Sequence, residues 1–126
     1  MDKITALHLC GAYNLGLAVF HAMFWKLFHW KSDLQRINFA NRAIIQILNV
    51  RLIYVFLLMA FVYFFCAHQL METKLGYVLL FGFFGFWVGR SLEQFIFLNV
   101  KSRVVSLLTF VFALGAILHA LPLIIR

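Results

Sequence analysis

Four apolar runs of roughly 20 residues each, the length a helix needs to cross the hydrocarbon core of a bilayer, take up nearly all of this chain. The runs are continuous and rich in Leu, Phe and Ile. They lack the alternation of apolar and polar residues that a membrane barrel shows, so helices are the expected spanning form. Of the 126 residues, 65% are hydrophobic and only 12% are charged, a balance that a soluble domain of this size could not keep in solution. The sequence therefore predicts an integral membrane protein of the all-α class. It is read as one transmembrane four-helix bundle over residues 1–126, with helices at about 4–28, 44–68, 75–97 and 104–125.

The net charge of +7 comes from eleven Lys or Arg against four Asp or Glu. In a soluble protein such an excess would point to nucleic acid. Here the basic residues stand at helix ends, where they meet anionic headgroups and set topology, and no nucleic-acid partner is expected. Trp25 and Trp30 mark a headgroup level near the end of the first helix, with Lys26, Lys31, Arg36 and Arg42 around and after them; Lys101 and Arg103 follow the third helix. Six basic residues thus lie on that side, against Lys3, Lys74 and Arg126, three in all, on the other. By the positive-inside rule the richer side is the cytoplasm, which puts both termini on the non-cytoplasmic side. The first helix is expected to be retained, because Lys3 alone makes a poor signal-peptide n-region and the apolar run continues past any suitable cleavage point. Leu7, His8 and Leu9 lack the small residues that precede a lipidated cysteine at Cys10. Ser32 followed by Gln35 reads as a capping box, so a short interfacial turn of helix is expected to lead into the second span.

Against this apolar background the segment FGFFGFWVGRSLEQFIF, at 81–97, stands out. A charged side chain deep in hydrocarbon costs on the order of 2.5–3.5 kcal/mol on insertion scales, so Arg90 and Glu93 should face protein, water or a partner. Residues three and four apart share a helix face. Arg90 can therefore meet Glu93 and Gln94, while Gly82, Gly85 and Gly89 run into Glu93 along a small-residue stripe that lets another helix come close. A second such stripe, Thr109, Ala113, Ala116 and Ala120, runs down the fourth helix. Folding the two hairpins together sets His21, Gln46, Asn49, Arg51, Arg90, Glu93 and Gln94 at similar depth in the cytoplasmic half. These are the candidate ligand-binding residues. In one layer Glu93 would accept from Arg90 or Arg51, and the arginines suit an anionic or strongly hydrogen-bonding ligand such as a lipid headgroup, a carboxylate or a quinone carbonyl. The same residues would serve a proton relay through Glu93 and His21, or only the packing of helices and subunits. Arg51 also lies near enough to its helix end to snorkel.

A second polar group is expected near the outer surface, where His8 and Cys10 begin the first helix, Cys66 and His68 end the second, and His119 approaches from the fourth. These residue types suit zinc or copper. Residues two apart on a helix, however, point about 200° from one another, so both members of an H-x-C or C-x-H pair bind one metal only where the helix frays. A Cys10–Cys66 disulfide is an alternative if the two Cα atoms come within about 7 Å, and ordinary packing is the simplest reading. His21 and His119 fall at opposite depths, a poor axial pair for haem. The chain has no Gly-rich phosphate loop, H-E-x-x-H or serine-centred elbow. Nucleotide and hydrolase chemistry therefore have no support, and no catalytic group or cofactor is indicated.

Two stretches of the first hairpin, NLGLAVFHAMFWKLFHW at 14–30 and NRAIIQILN at 41–49, resemble small bacterial four-span membrane proteins to which no activity is attached. Asn14, His21, Gln46 and Asn49 anchor that resemblance, which implies the fold and a multi-pass address in the inner membrane. The leading expectation is a non-enzymatic membrane protein that binds a lipid-like or anionic ligand, or a membrane partner, through its cytoplasmic-half polar layer. The bilayer, further copies of the chain or a larger membrane complex are its expected partners. A small transporter or proton-coupled channel subunit stays open beside it, as does a membrane-embedded redox or metal-dependent enzyme.

Overall fold

The computed structural model of the chain describes residues 1–125, and the regular structure among them is entirely helical. Helix α1 (Lys3–Ala22) is followed by two single turns, α2 (Phe24–Leu27) and α3 (Trp30–Asp33), and by a 3-10 turn over Leu34–Arg36. Then come α4 (Phe39–Phe65), the short α5 (Ala67–Glu72), α6 (Lys74–Phe97) and α7 (Arg103–Ile124). The four long helices α1, α4, α6 and α7 are each long and apolar enough to cross a membrane. Arg126, counted above with the outer basic residues, lies outside the described residues.

Local hydrogen bonding, rather than the edge of an apolar run, sets where these helices begin and end. The first helix stops at Ala22, short of the expected 28, where the Met23 N–H donates to both Val19 O and Phe20 O. His29 then takes a left-handed backbone at φ 52°, a conformation that a helix of L-residues cannot continue through. Ser32 does not cap the next long helix; its hydroxyl donates to His29 O at 3.0 Å. Asn38 does so instead, accepting from the Asn41 N–H at 2.8 Å, and α4 consequently starts at Phe39 rather than near 44. At Cys66 the backbone leaves helical geometry, and α5 occupies the segment expected as an outer loop. Thr73 and Ser102 cap α6 and α7 in the same manner, accepting from the Gly76 and Val105 N–H groups at 2.9 and 3.1 Å.

Helix α1 lies between α4 and α7, while α6 packs on α7 and on α5. Trp87 of α6 joins all four long helices. It is fully buried, stacked 5.5 Å from Phe56 of α4 and 6.3 Å from Phe112 of α7, with the ring of Tyr13 of α1 edge-on at 4.9 Å. Close backbone approach occurs at other glycines than the expected stripe. A Cβ on Gly11 would come within 3.0 Å of the Phe64 ring; one on Gly115 would meet Tyr13, and one on Gly76 the backbone of Gln69 and Leu70. Gly82, Gly85 and Gly89, by contrast, face open space. Helix α6 packs chiefly on α7 and α5, and α4 does not cover those glycines. On α7 the buried residues are Phe112, Gly115, His119 and Pro122; of the Thr109, Ala113, Ala116 and Ala120 stripe, Ala116 packs against the core, Thr109 and Ala120 are partly buried and Ala113 is exposed.

Candidate functional site

Beside Trp87, the gap between α4 and α6 opens into a cleft of about 360 Å³, lined by Leu52, Gly85, Phe86, Gly89, Arg90 and Glu93. Gly85 and Gly89 form a floor that no neighbouring helix approaches. The Arg90 guanidinium is partly buried and lies over the Phe112 ring of α7, 4.1 Å from its centroid. That cation–π contact fixes the group and is worth about 0.5–2 kcal/mol, depending on desolvation. Among the described residues no hydrogen bond joins Arg90 to Glu93 or Gln94, so the pairing that their spacing permits is not made. Glu93 is exposed in the cleft, whereas Gln94 is buried, its Nε2 3.4 Å from Val105 O and its Oε1 without a partner.

The other four candidates lie on the α1–α4 side and do not line this cleft, although His21 is close enough to Arg90 for the guanidinium charge to reach its ring. Asn49 Nδ2 donates to the His21 backbone oxygen at 2.9 Å. His21 Nδ1 donates to Leu17 O at 2.9 Å, and its ring stacks on Phe24 at 4.3 Å and meets Phe56 at 5.0 Å. Gln46 Oε1 accepts from Trp25 Nε1 at 3.0 Å. These bonds satisfy polar groups across one helix pair and the turn beside it. Arg51 is exposed and lines a shallow groove with Trp25, Gln46, Ile47 and Val50, on another side of α4 from Leu52 and the cleft. The seven residues thus do not line one pocket: Arg90 and Glu93 border the cleft, Gln94 faces Val105 of α7, His21, Gln46 and Asn49 bond on the α1–α4 side, and Arg51 lines its own groove.

A further polar cluster forms nearer the centre of the bundle. The Asn14 amide donates to Cys10 O at 2.8 Å and to His119 Nε2 at 2.9 Å, while His119 Nδ1 donates to Gly115 O at 2.7 Å. These partners set the neutral histidine tautomer with the proton on Nδ1. Both residues are fully buried, and the rings of Tyr13, Tyr63 and Trp87 stand 5.8, 5.5 and 5.7 Å from the imidazole. Tyr13 donates its hydroxyl to Val111 O at 2.8 Å; Tyr63 OH, Trp87 Nε1 and Asn14 Oδ1 are buried without partners. Sequence reasoning took Asn14 and His119 separately. The signal that joins them is that each is a polar residue on the buried face of its own helix.

His8, Cys10, Cys66, His68 and His119 are not gathered at one point. Cys10 donates its thiol to Leu118 O at 3.2 Å, His8 stands beside Phe64, His68 is exposed, and both cysteines are free. Among the described residues no three His, Cys, Asp or Glu side chains are grouped so as to hold a metal ion. Comparison with protein-family models, with curated proteins and with solved structures gives no match for this chain.

Proposed function

We propose that the chain is a multi-pass membrane protein that binds an amphiphile through the cleft between α4 and α6. One observation carries the reading: a partly buried guanidinium and a carboxylate without a hydrogen-bond partner, one turn apart, border an apolar floor that no helix covers. Arginine offers fixed donors to a phosphate or carboxylate group. Leu52, Phe86 and the bare glycines give an alkyl chain apolar walls and room to lie against the helix backbone. The outward faces of the long helices suit lipid, with Phe61, Phe81, Phe110 and Ile117 each more than half exposed.

The basic residues at Lys26, Lys31, Arg36, Arg42, Lys101 and Arg103 favour an orientation with both termini on the non-cytoplasmic side. The cleft then faces the cytoplasmic leaflet, and an inner-membrane address accords with the resemblance of the first hairpin. The activity is binding: the two charged groups hold and orient a headgroup. Native mass spectrometry of protein released in mild detergent tests this. Lipid retained by the wild type should fall about tenfold or more in Arg90→Gln, the scale of a lost charged hydrogen bond. A wild-type protein that retains no lipid would remove the reading. A second reading, a partner's helix in the cleft, is favoured by Gly82, which extends the uncovered face of α6 by a further turn.

A further inference from the structure

The cleft presents one charge of each sign, and this narrows the headgroup. Building on the lipid-binding reading above, we propose that the lipid held there is a zwitterionic phospholipid with an ethanolamine-type headgroup. Its phosphate lies toward Arg90, its ammonium toward Glu93, and an acyl chain along Gly89, Gly85 and Phe86.

Four observations converge on that occupant. First, an anionic lipid would leave Glu93 facing a headgroup without positive charge and a cationic amphiphile would set a second positive group against Arg90, whereas a zwitterion matches both. Second, Arg90 and Glu93 are three residues apart and share a helix face, so the phosphate and the ammonium of one phosphoethanolamine headgroup, joined by two carbons, can meet both groups. Third, the two groups are not bonded to each other. Arg90 rests its face on Phe112 at 4.1 Å, which leaves the in-plane N–H groups of the guanidinium free for phosphate and leaves Glu93 able to accept from an ammonium. A primary ammonium has N–H donors for that carboxylate; a quaternary one has none, and would call for an aromatic cage where the cleft offers Phe86 alone. Fourth, the order along the helix is that of the lipid itself. Arg90 lies about 10 Å from the end of α6 at Phe97, given the helical rise, with Glu93 nearer that end and the glycine floor on the far side.

The test uses the full chain reconstituted into vesicles containing equal parts of dioleoyl phosphatidylethanolamine, phosphatidylglycerol and phosphatidylcholine. The protein is then extracted into mild detergent, and the retained lipid is identified by native mass spectrometry. The wild type should hold the ethanolamine lipid about tenfold over the glycerol lipid and several-fold over the choline lipid, on the scale of a charged hydrogen bond. Glu93→Gln should bring the three close to equal, and Arg90→Gln should lose all of them. Gly89→Leu should also expel all three without lowering thermal stability, because a Cβ at that position meets nothing within 4 Å. Wild-type preference for the glycerol lipid, equal retention of ethanolamine and choline lipids, or an unchanged preference in Glu93→Gln would each overturn the headgroup assignment and leave the cleft as a lipid site. Absence of every lipid from the wild type would remove both readings, as would full retention in Arg90→Gln. A lipid-free dimer broken by Gly89→Leu would give the cleft to a second copy of the chain.

Discussion

Gly115 and Gly82 both sit inside long helices, yet their surroundings are opposite. A methyl group on Gly115 would run into the Tyr13 ring, whose hydroxyl is committed to Val111 O, while one on Gly82 would meet nothing within 4 Å. Gly115→Ala should therefore lower stability by about 1–3 kcal/mol, as overpacking does. Gly82→Ala should raise it by about 0.5–1 kcal/mol, the helix preference of alanine over glycine. Thermal or denaturant unfolding in detergent distinguishes the two, and a destabilising Gly82→Ala would mean that this face is covered by a partner. In the sequence these glycines look alike. Spacing pointed to Gly82, Gly85 and Gly89 as the close contact, but contact depends on what stands opposite, and the ring that selects Gly115 comes from Tyr13, about a hundred residues earlier.

For the helices, length and apolarity were legible directly: four runs, four long helices. Their ends were less so, because an apolar run records what is buried in lipid or core, whereas a helix begins where its first N–H groups find acceptors. The stretch FANRA at 39–43 lies outside the expected span, interrupted by Asn41 and Arg42, and is helical all the same, owing to the Asn38 cap. Ser32 and Gln35 match a capping box in pattern, yet the Ser32 hydroxyl turns back to His29 O in a segment bent by the left-handed backbone of that histidine. Asn38→Ala should cost about 1 kcal/mol and speed amide hydrogen exchange over 39–42. If exchange there is unchanged, the cap does not hold the start of α4.

Across the whole molecule, the long helices could be read from the sequence and the way each is turned about its axis could not. Arg90, Glu93 and Gln94 share a helix segment as expected, but the wide aromatic contact of Trp87 with Phe56 and Phe112 fixes how α6 is turned, and His21, Gln46 and Asn49 are spent on the α1–α4 pairing. The proposed orientation makes its own prediction. In a background without Cys10 and Cys66, a membrane-impermeant maleimide should label Gln69→Cys on intact cells and Asn99→Cys only after the cells are opened. The reverse pattern would invert the topology and move the cleft to the other leaflet.

The hydrogen bond between Asn14 and His119 ties the first long helix to the last, across 105 positions of chain. During synthesis, Asn14 must wait with one amide hydrogen unmatched until α7 has been made. The Phe112 ring that seats Arg90 arrives at the same late moment. A chain interrupted before α7 would lack both, and its polar core would stay open. Closure of that core thus waits on α7, whichever of the other long helices has already packed.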